Sequence, residues 1–317
     1  MKRASFVIFL AVLLVLPWLG GDYYINLGSQ ILIAALFALS LNLLVGYAGL
    51  TSLGHAAYLG VSAYVSGWLF LKLGWGHAMT APAALLLTTL MAAVFGLIAL
   101  RASGIGFLMI TLALGQVLWG LAFRWVTITN GDNGLSGLTR PAPFGINLDG
   151  ASAFYIFTAI VFALSLICIV LFANSSFGAV LRGTRDQPRR MLALGHNVWL
   201  VRYLTFIVAG FWAAAAGLLY VYYHKFIHPH ALGLTNSAET LLMVIAGGSG
   251  TLAGPIVGAA IVVLLKNYVS AFIERWTMLL GFVFLMIVMF MPDGLVPGMQ
   301  RIWARLTGDK AKSRELA

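Results

Sequence analysis

The chain has 317 residues, of which 61% are hydrophobic and only 9% charged, and its mean hydropathy is +0.97. No water-soluble core hides that much apolar surface in a chain of this length, so a soluble globular fold is excluded and an all-α polytopic membrane protein is expected, as one transmembrane domain over residues 1–317. The formal charge of +10 does not point to nucleic acid, because the basic residues gather at the N-terminus, a central island and the C-terminal tail, where lipid headgroups and topology account for them.

Lys2 and Arg3 stand before the apolar residues 6–16 as in a secretory leader. No small-x-small cleavage site follows Pro17 and Trp18, so an uncleaved first span is expected. Candidate spans fall at 6–20, 30–46, 53–71, 80–100, 105–123 and 153–173 before the island, and at 201–222, 237–247, 252–265 and 277–291 after it. That predicts about ten transmembrane helices, with an extramembrane loop at 125–152, the island at 174–200 and a tail at 297–317. The eighth span is shorter than the roughly 20 residues a helical crossing needs. Gly247, Gly248, Gly250 and Gly254 stand beside it, the mark of a broken or re-entrant helix. Irregular backbone survives at membrane depth only against protein or a water-filled cavity, which makes Gly247, Gly248 and Gly250 a pathway signal.

The linker Gly46-Tyr47-Ala48-Gly49-Leu50-Thr51-Ser52-Leu53-Gly54-His55 joins two spans with small and hydroxyl residues where lipid favours Leu or Val. Two readings fit: close helix packing, or a cavity lining in which Thr51, Ser52 or His55 touches solute. Cys168, in an apolar run, reads as a small buried residue. Asn130 to Gly134 lacks the bidentate Glu of a calcium loop and reads as tight turns. His224, His228 and His230 cluster near one membrane face, but their spacing defines no ligand set, and no metal or other cofactor is expected. Glu239 follows Asn236 at the spacing of a capping box, which places it at the outer mouth of the short span as a helix cap or a gate.

The island from Phe177 to Asn197 carries Arg182, Arg185, Arg189 and Arg190, and an Arg at the centre of a span costs about 2.5–3.5 kcal/mol. It lies outside the bilayer, with two short helices expected: one capped by Ser175 or Ser176, a second capped by Asp186 with Pro188 in its first turn and Gly195 at its end. Ten crossings place both termini on the island's side and leave only Lys72, Arg124, Arg140, Lys225, Lys266 and Arg275 of the 19 Lys and Arg on the other. The positive-inside rule then makes island and termini cytoplasmic. A cysteine at Thr184 is expected to react from the cytoplasm and one at Asn133 from outside. No P-loop occurs, no span carries an evident mid-membrane carboxylate and no catalytic constellation is present, so a non-enzymatic pathway powered from another chain is expected.

Several motifs together resemble one family. They are Asn42-Leu43-Leu44-Val45-Gly46-Tyr47-Ala48-Gly49 with Ser52-Leu53-Gly54-His55-Ala56; Thr111-Leu112-Ala113-Leu114-Gly115-Gln116; and Ser176-Phe177-Gly178 with Leu181-Arg182 and Arg185-Asp186. Ala193-Leu194-Gly195, Glu239-Thr240-Leu241-Leu242-Met243, Gly247-Gly248, Gly250-Thr251, Gly254-Pro255 and Pro292-Asp293-Gly294-Leu295 continue the pattern. The chain resembles the M-type membrane permeases of branched-chain amino acid ABC importers over about residues 42–297. The resemblance implies a multi-pass subunit of the bacterial inner membrane that pairs with a sister permease, docks two ABC ATPase subunits and receives solute from an extracytoplasmic binding protein. It implies that Leu181, Arg182, Arg185, Asp186, Ala193, Leu194 and Gly195 belong to the coupling region. Thr51, Ser52, His55, Gln116, Glu239, Gly247, Gly248 and Gly250 become pathway or gate candidates. Leu50, Pro188 and Met191 depart from the family's habit, and relatives of this architecture are also associated with urea, other amides and other amino acids. A self-sufficient secondary carrier is the competing reading from another class.

Overall fold

The computed structural model describes residues 21–142, 147–269, 276–291 and 294–299. The expected span at 6–20, both termini, most of the tail, and Pro292 and Asp293 lie outside the described residues. The helices are α1 (Asp22–Asn42, continued by a π-helical turn at Leu43–Ala48), α2 (Ala56–Leu73), α3 (His77–Ala99), α4 (Ile105–Arg124) and α5 (Ala151–Asn174). The island forms α6 (Ser176–Asp186) and α7 (Pro188–Ala193); α8 (Val198–His224), α9 (Leu234–Gly247), α10 (Ala253–Val269) and α11 (Trp276–Phe290) follow.

Among the described residues six helices are long and apolar enough to cross a membrane: Asp22–Ala48, α2, α3, α4, α5 and α8. At 14, 17 and 15 residues, α9, α10 and α11 fall below the full helical crossing of about 20 residues. The chain is thus an all-α polytopic membrane protein with short helices among its long ones.

α1 is the axis. From Leu32 to Leu44 nearly every side chain is buried, and α5, α8, α9 and α10 all pack on it. Lipid tails are as apolar as leucine, so close packing rather than hydrophobic transfer holds such helices together. α8 supplies the small face this needs, with Ala209, Gly210, Ala213, Ala214, Ala216 and Gly217 buried against α2 and α3. The peripheral α3, α4 and α5 turn Leu86, Leu90, Met109, Val117, Leu164 and Leu171 outward. Cys168 is exposed on that outer face of α5, not buried as its composition suggested, because the helix presents its small residues inward elsewhere.

The loop after α4 and the loop after α8 meet at the end of the bundle away from the island. Leu135 pairs with Ile227 and Ser136 with Phe226 in a two-residue antiparallel ladder. Lys225 Nζ donates to Asp149 Oδ1 at 2.8 Å and holds that carboxyl below the usual aspartate range. The Arg140 guanidinium donates to the carbonyls of Leu148, Asp149 and Tyr222 and lies 4.2 Å from the Phe154 ring centre. From there residues 229–232 dip inward, and Leu232 packs against Gly60 within α2, so α9 starts inside the bundle.

Candidate functional site

The island folds largely by local rules. Ser175 Oγ accepts from Gly178 N at 3.2 Å and starts α6; Pro188 occupies the first position of α7; Gly195, at φ +85°, closes it. Asp186 does not cap α7. Its carboxylate accepts from Arg185 Nε at 2.8 Å, and Gln187 precedes the helix without a side-chain bond. Leu181 and Thr184 are fully buried. Thr184 therefore cannot serve as an accessible labelling position, since α6 lays that face on the bundle, where Arg202 donates to the Thr184 carbonyl at 3.2 Å. Arg182 donates to Ala173 O at 2.7 Å and fastens α6 to α5. Arg189, Arg190, Leu192, Ala193, Leu194 and Gly195 form an exposed basic and apolar surface.

Arg185 connects this surface to the interior. Its Nη1 donates to the carbonyl of Gly46 in the π-helical turn, its aliphatic stem passes Gly49, and its head lies beside Gly250. Two breaks meet there. The first follows Ala48: Gly49 takes φ +69°, and residues 49–55 form no helix. They run back along α1 until His55 reaches Ser40, roughly 12 Å before the end of the π-helical turn at Ala48 at about 1.5 Å per residue. The second break, at residues 248–252, turns through Gly248 and Gly250, both at positive φ. Asn42 joins the two: its Nδ2 donates to Thr251 O and its Oδ1 accepts from Gly250 N, each at 2.9 Å. A side chain at Gly46 would collide with Gly250 N and Asn42 Oδ1, so the approach requires glycine.

The linker joins two helices long enough to cross a membrane, as expected, and α2 begins only where the chain has already re-entered the bundle. The linker's backbone groups, and the first of α2, find partners in three segments. Leu50 N donates to Leu44 O at 2.8 Å, Leu53 N to Thr111 Oγ1 at 3.4 Å and Ala56 N to Ser237 Oγ at 3.0 Å, while Gly54 presses on the Thr111 carbonyl. Ser40 Oγ spends its proton on Phe37 O at 2.6 Å, so His55 Nε2, 2.8 Å away, carries the hydrogen between them. His55 Nδ1 is left a bare acceptor, and it and Ser52 Oγ are buried with no hydrogen-bond partner among the described residues. Thr51 is half-buried in the same segment, and Gln116 is half-buried on α4.

In the half of the bundle away from the island, α1, α8, α9 and α10 enclose a cavity of about 450 Å³. Its polar lining includes Gln30, His224, Asn236, Glu239, Lys266 and Asn267, with Thr240, Tyr220 and Tyr223 beside them. Glu239 is not a cap. Helix α9 begins earlier, after Gly233, so Asn236 falls inside its first turn and donates instead to His230 O and Ala231 O, at 3.1 and 3.2 Å. Glu239 is 8% exposed, and Lys266 Nζ donates to its Oε2 at 3.2 Å. Lys266 was counted among the outer topological charges; its place beside a buried carboxylate depends on α9 and α10 packing as a hairpin. A lysine next to asparagine inside an otherwise apolar run was the available signal. The histidines separate: His224 lines the cavity against Tyr220, while His228 stacks on His230 and faces Asp132 at 3.4 Å. The cavity and the buried linker adjoin, since Phe37 lines the one and stacks on His55 of the other at 5.4 Å.

Interrupted helices around a partly polar cavity, with a basic elbow bonded to one interruption and lying against the other, are features of a polytopic membrane protein of the transport class. Residues 23–290 match the family described as branched-chain amino acid transport system / permease component, and the chain belongs to that family. It is 24% identical to the high-affinity branched-chain amino acid transport system permease protein LivM of Salmonella typhimurium, over 99% of this chain and 79% of that one; the Escherichia coli K12 LivM gives the same figures. The LivH permease protein of Escherichia coli K12 is 26% identical over 43% of this chain and 45% of its own. No solved structure matches the chain.

Proposed function

We propose that this chain is the M-type translocation subunit of an ATP-driven ABC importer for branched-chain or related amino acids in the bacterial inner membrane. In this reading it forms the pathway with a sister permease, two ABC ATPases grip the exposed face of α6 and α7 from the cytoplasm, and an extracytoplasmic binding protein delivers solute to the opposite end. The observation that carries the proposal, beyond family membership, is Arg185: one residue of the exposed elbow bonds the backbone at one helix break and touches the other. A displacement of α6 by docked ATPases therefore reaches both breaks, and a packed bundle converts such a shift into discrete states.

The test is reconstitution in liposomes. With sister permease, ATPases and binding protein, leucine uptake is expected to require ATP hydrolysis, and added leucine-loaded binding protein is expected to raise the ATPase rate. Uptake by this chain alone, following an ion gradient, overturns the proposal. It would support a secondary carrier, which the buried Glu239–Lys266 pair favours because ion-coupled carriers place ionisable groups in the pathway.

A further inference from the structure

We propose that the cavity between α1, α8, α9 and α10 binds a free aliphatic α-amino acid, with Glu239 taking its ammonium group and Lys266 its carboxylate. The proposal rests on the amino-acid transport reading above and assigns the site within it.

The two charges come from different helices and meet across the cavity wall, Glu239 Oε2 accepting from Lys266 Nζ at 3.2 Å. The Glu239 side chain is 11% exposed and that of Lys266 46%, so the carboxylate sits in the wall and the ammonium stands at the more open side of the cavity. An α-amino acid carries both of its charges on one carbon. Inserted between the pair, it replaces their mutual contact with two contacts of the same kind, and the site stays neutral throughout. A simple amine or a simple carboxylate would leave one uncompensated charge in low dielectric, which is costly. Neutral polar groups stand ready beside them: Asn267 Nδ2 donates to Gln30 Oε1 at 3.1 Å, and Gln30 Nε2 to Tyr223 Oη at 2.8 Å.

The rest of the wall is mostly hydrocarbon. Ile33, Phe37, Leu59, Met243, Val262 and Val263 face the same space, together with Tyr220 and with Thr240, whose hydroxyl donates to Asn236 O at 2.7 Å. A polar rim at one side and a branched aliphatic floor at the other match a ligand charged at one end and apolar at the other. At about 450 Å³ the volume lies at the low end of small-molecule sites, which run from about 300 to 1,000 Å³, and is ample for one amino acid.

The experiment is equilibrium binding to the assembled transporter, without the soluble binding protein, using leucine, isovalerate and isoamylamine as probes. Leucine is expected to bind at least tenfold more tightly than either singly charged probe. Glu239→Gln is expected to weaken leucine and isoamylamine by tenfold or more while sparing isovalerate; Lys266→Met is expected to weaken leucine and isovalerate while sparing isoamylamine. Met243→Trp, which fills the apolar floor and leaves both charges, is expected to abolish leucine binding, and it keeps the test open should a charge variant fail to assemble. A pair that only braces α9 to α10 would move all three probes alike, and that outcome overturns the assignment. ATP-driven leucine uptake at wild-type KM in both charge variants overturns the site and leaves the transport reading standing. Charge-selective leucine binding with ATP-independent uptake does the reverse.

Discussion

Arg185 carries two bonds with different consequences. Its Nε pairs with the neighbouring Asp186 on a surface where such pairs contribute about 0–1 kcal/mol. Its Nη1 reaches the Gly46 carbonyl in the interior, and a charged hydrogen bond of that kind is worth about 1.5–3 kcal/mol. The inward bond is therefore the one expected to carry coupling. Arg185→Gln is expected to leave membrane insertion and basal ATP hydrolysis near wild type while cutting solute-stimulated hydrolysis by roughly tenfold, the smaller end of that range. Asp186→Asn, by comparison, is expected to change stimulation less than twofold. Measured side by side in proteoliposomes, equal effects of the two substitutions would place coupling elsewhere.

At the scale of elements, sequence reading succeeded where a rule is local and failed where two distant segments decide. Ser175 and Pro188 start the island helices because capping and ring geometry act within one turn. Asp186 was equally plausible as a cap, but its neighbour outcompeted the backbone for the carboxylate. The glycine linker was legible as irregular; that it doubles back along α1 was not, because its path depends on Ser40, Thr111 and Ser237 from three other helices. The pairing of Lys266 with Glu239 was not legible for the same reason. The junction of the two breaks gives a direct stability test. Gly46→Ala drives a methyl into Gly250 N and disturbs both Asn42 bonds, so it is expected to destabilise the purified protein by about 2 kcal/mol, two hydrogen bonds at about 1 kcal/mol each. Gly120→Ala, where nothing lies within 4 Å, is the control and is expected to be neutral or to stabilise by up to about 1 kcal/mol. Thermal unfolding of both variants in one detergent decides the point; a Gly46→Ala protein as stable as its control would remove the close approach from the account.

For the whole molecule, the orientation proposed from charge is open to labelling. Leu194, 66% exposed on the elbow, replaces the buried Thr184 as the inner probe, and Asn133 in the loop after α4 is the outer one. In intact cells a cysteine at Asn133 is expected to react with an impermeant maleimide, whereas one at Leu194 is expected to react only after the membrane is opened. Thr184→Cys is expected to stay silent in both cases. Reaction at Leu194 in intact cells would invert the orientation and, with it, the side on which ATPases dock.

The guanidinium lodged between Gly46 and Gly250 has a last consequence, which concerns how many shapes the protein can take. Two interruptions that share this bolt and are tied to each other by Asn42 move together, so a pull on the bolt is felt at both. Intermediates with one hinge slack and its neighbour taut should be nearly absent. Spin labels flanking each hinge would then report distance changes that rise and fall in step through the cycle of nucleotide binding and release.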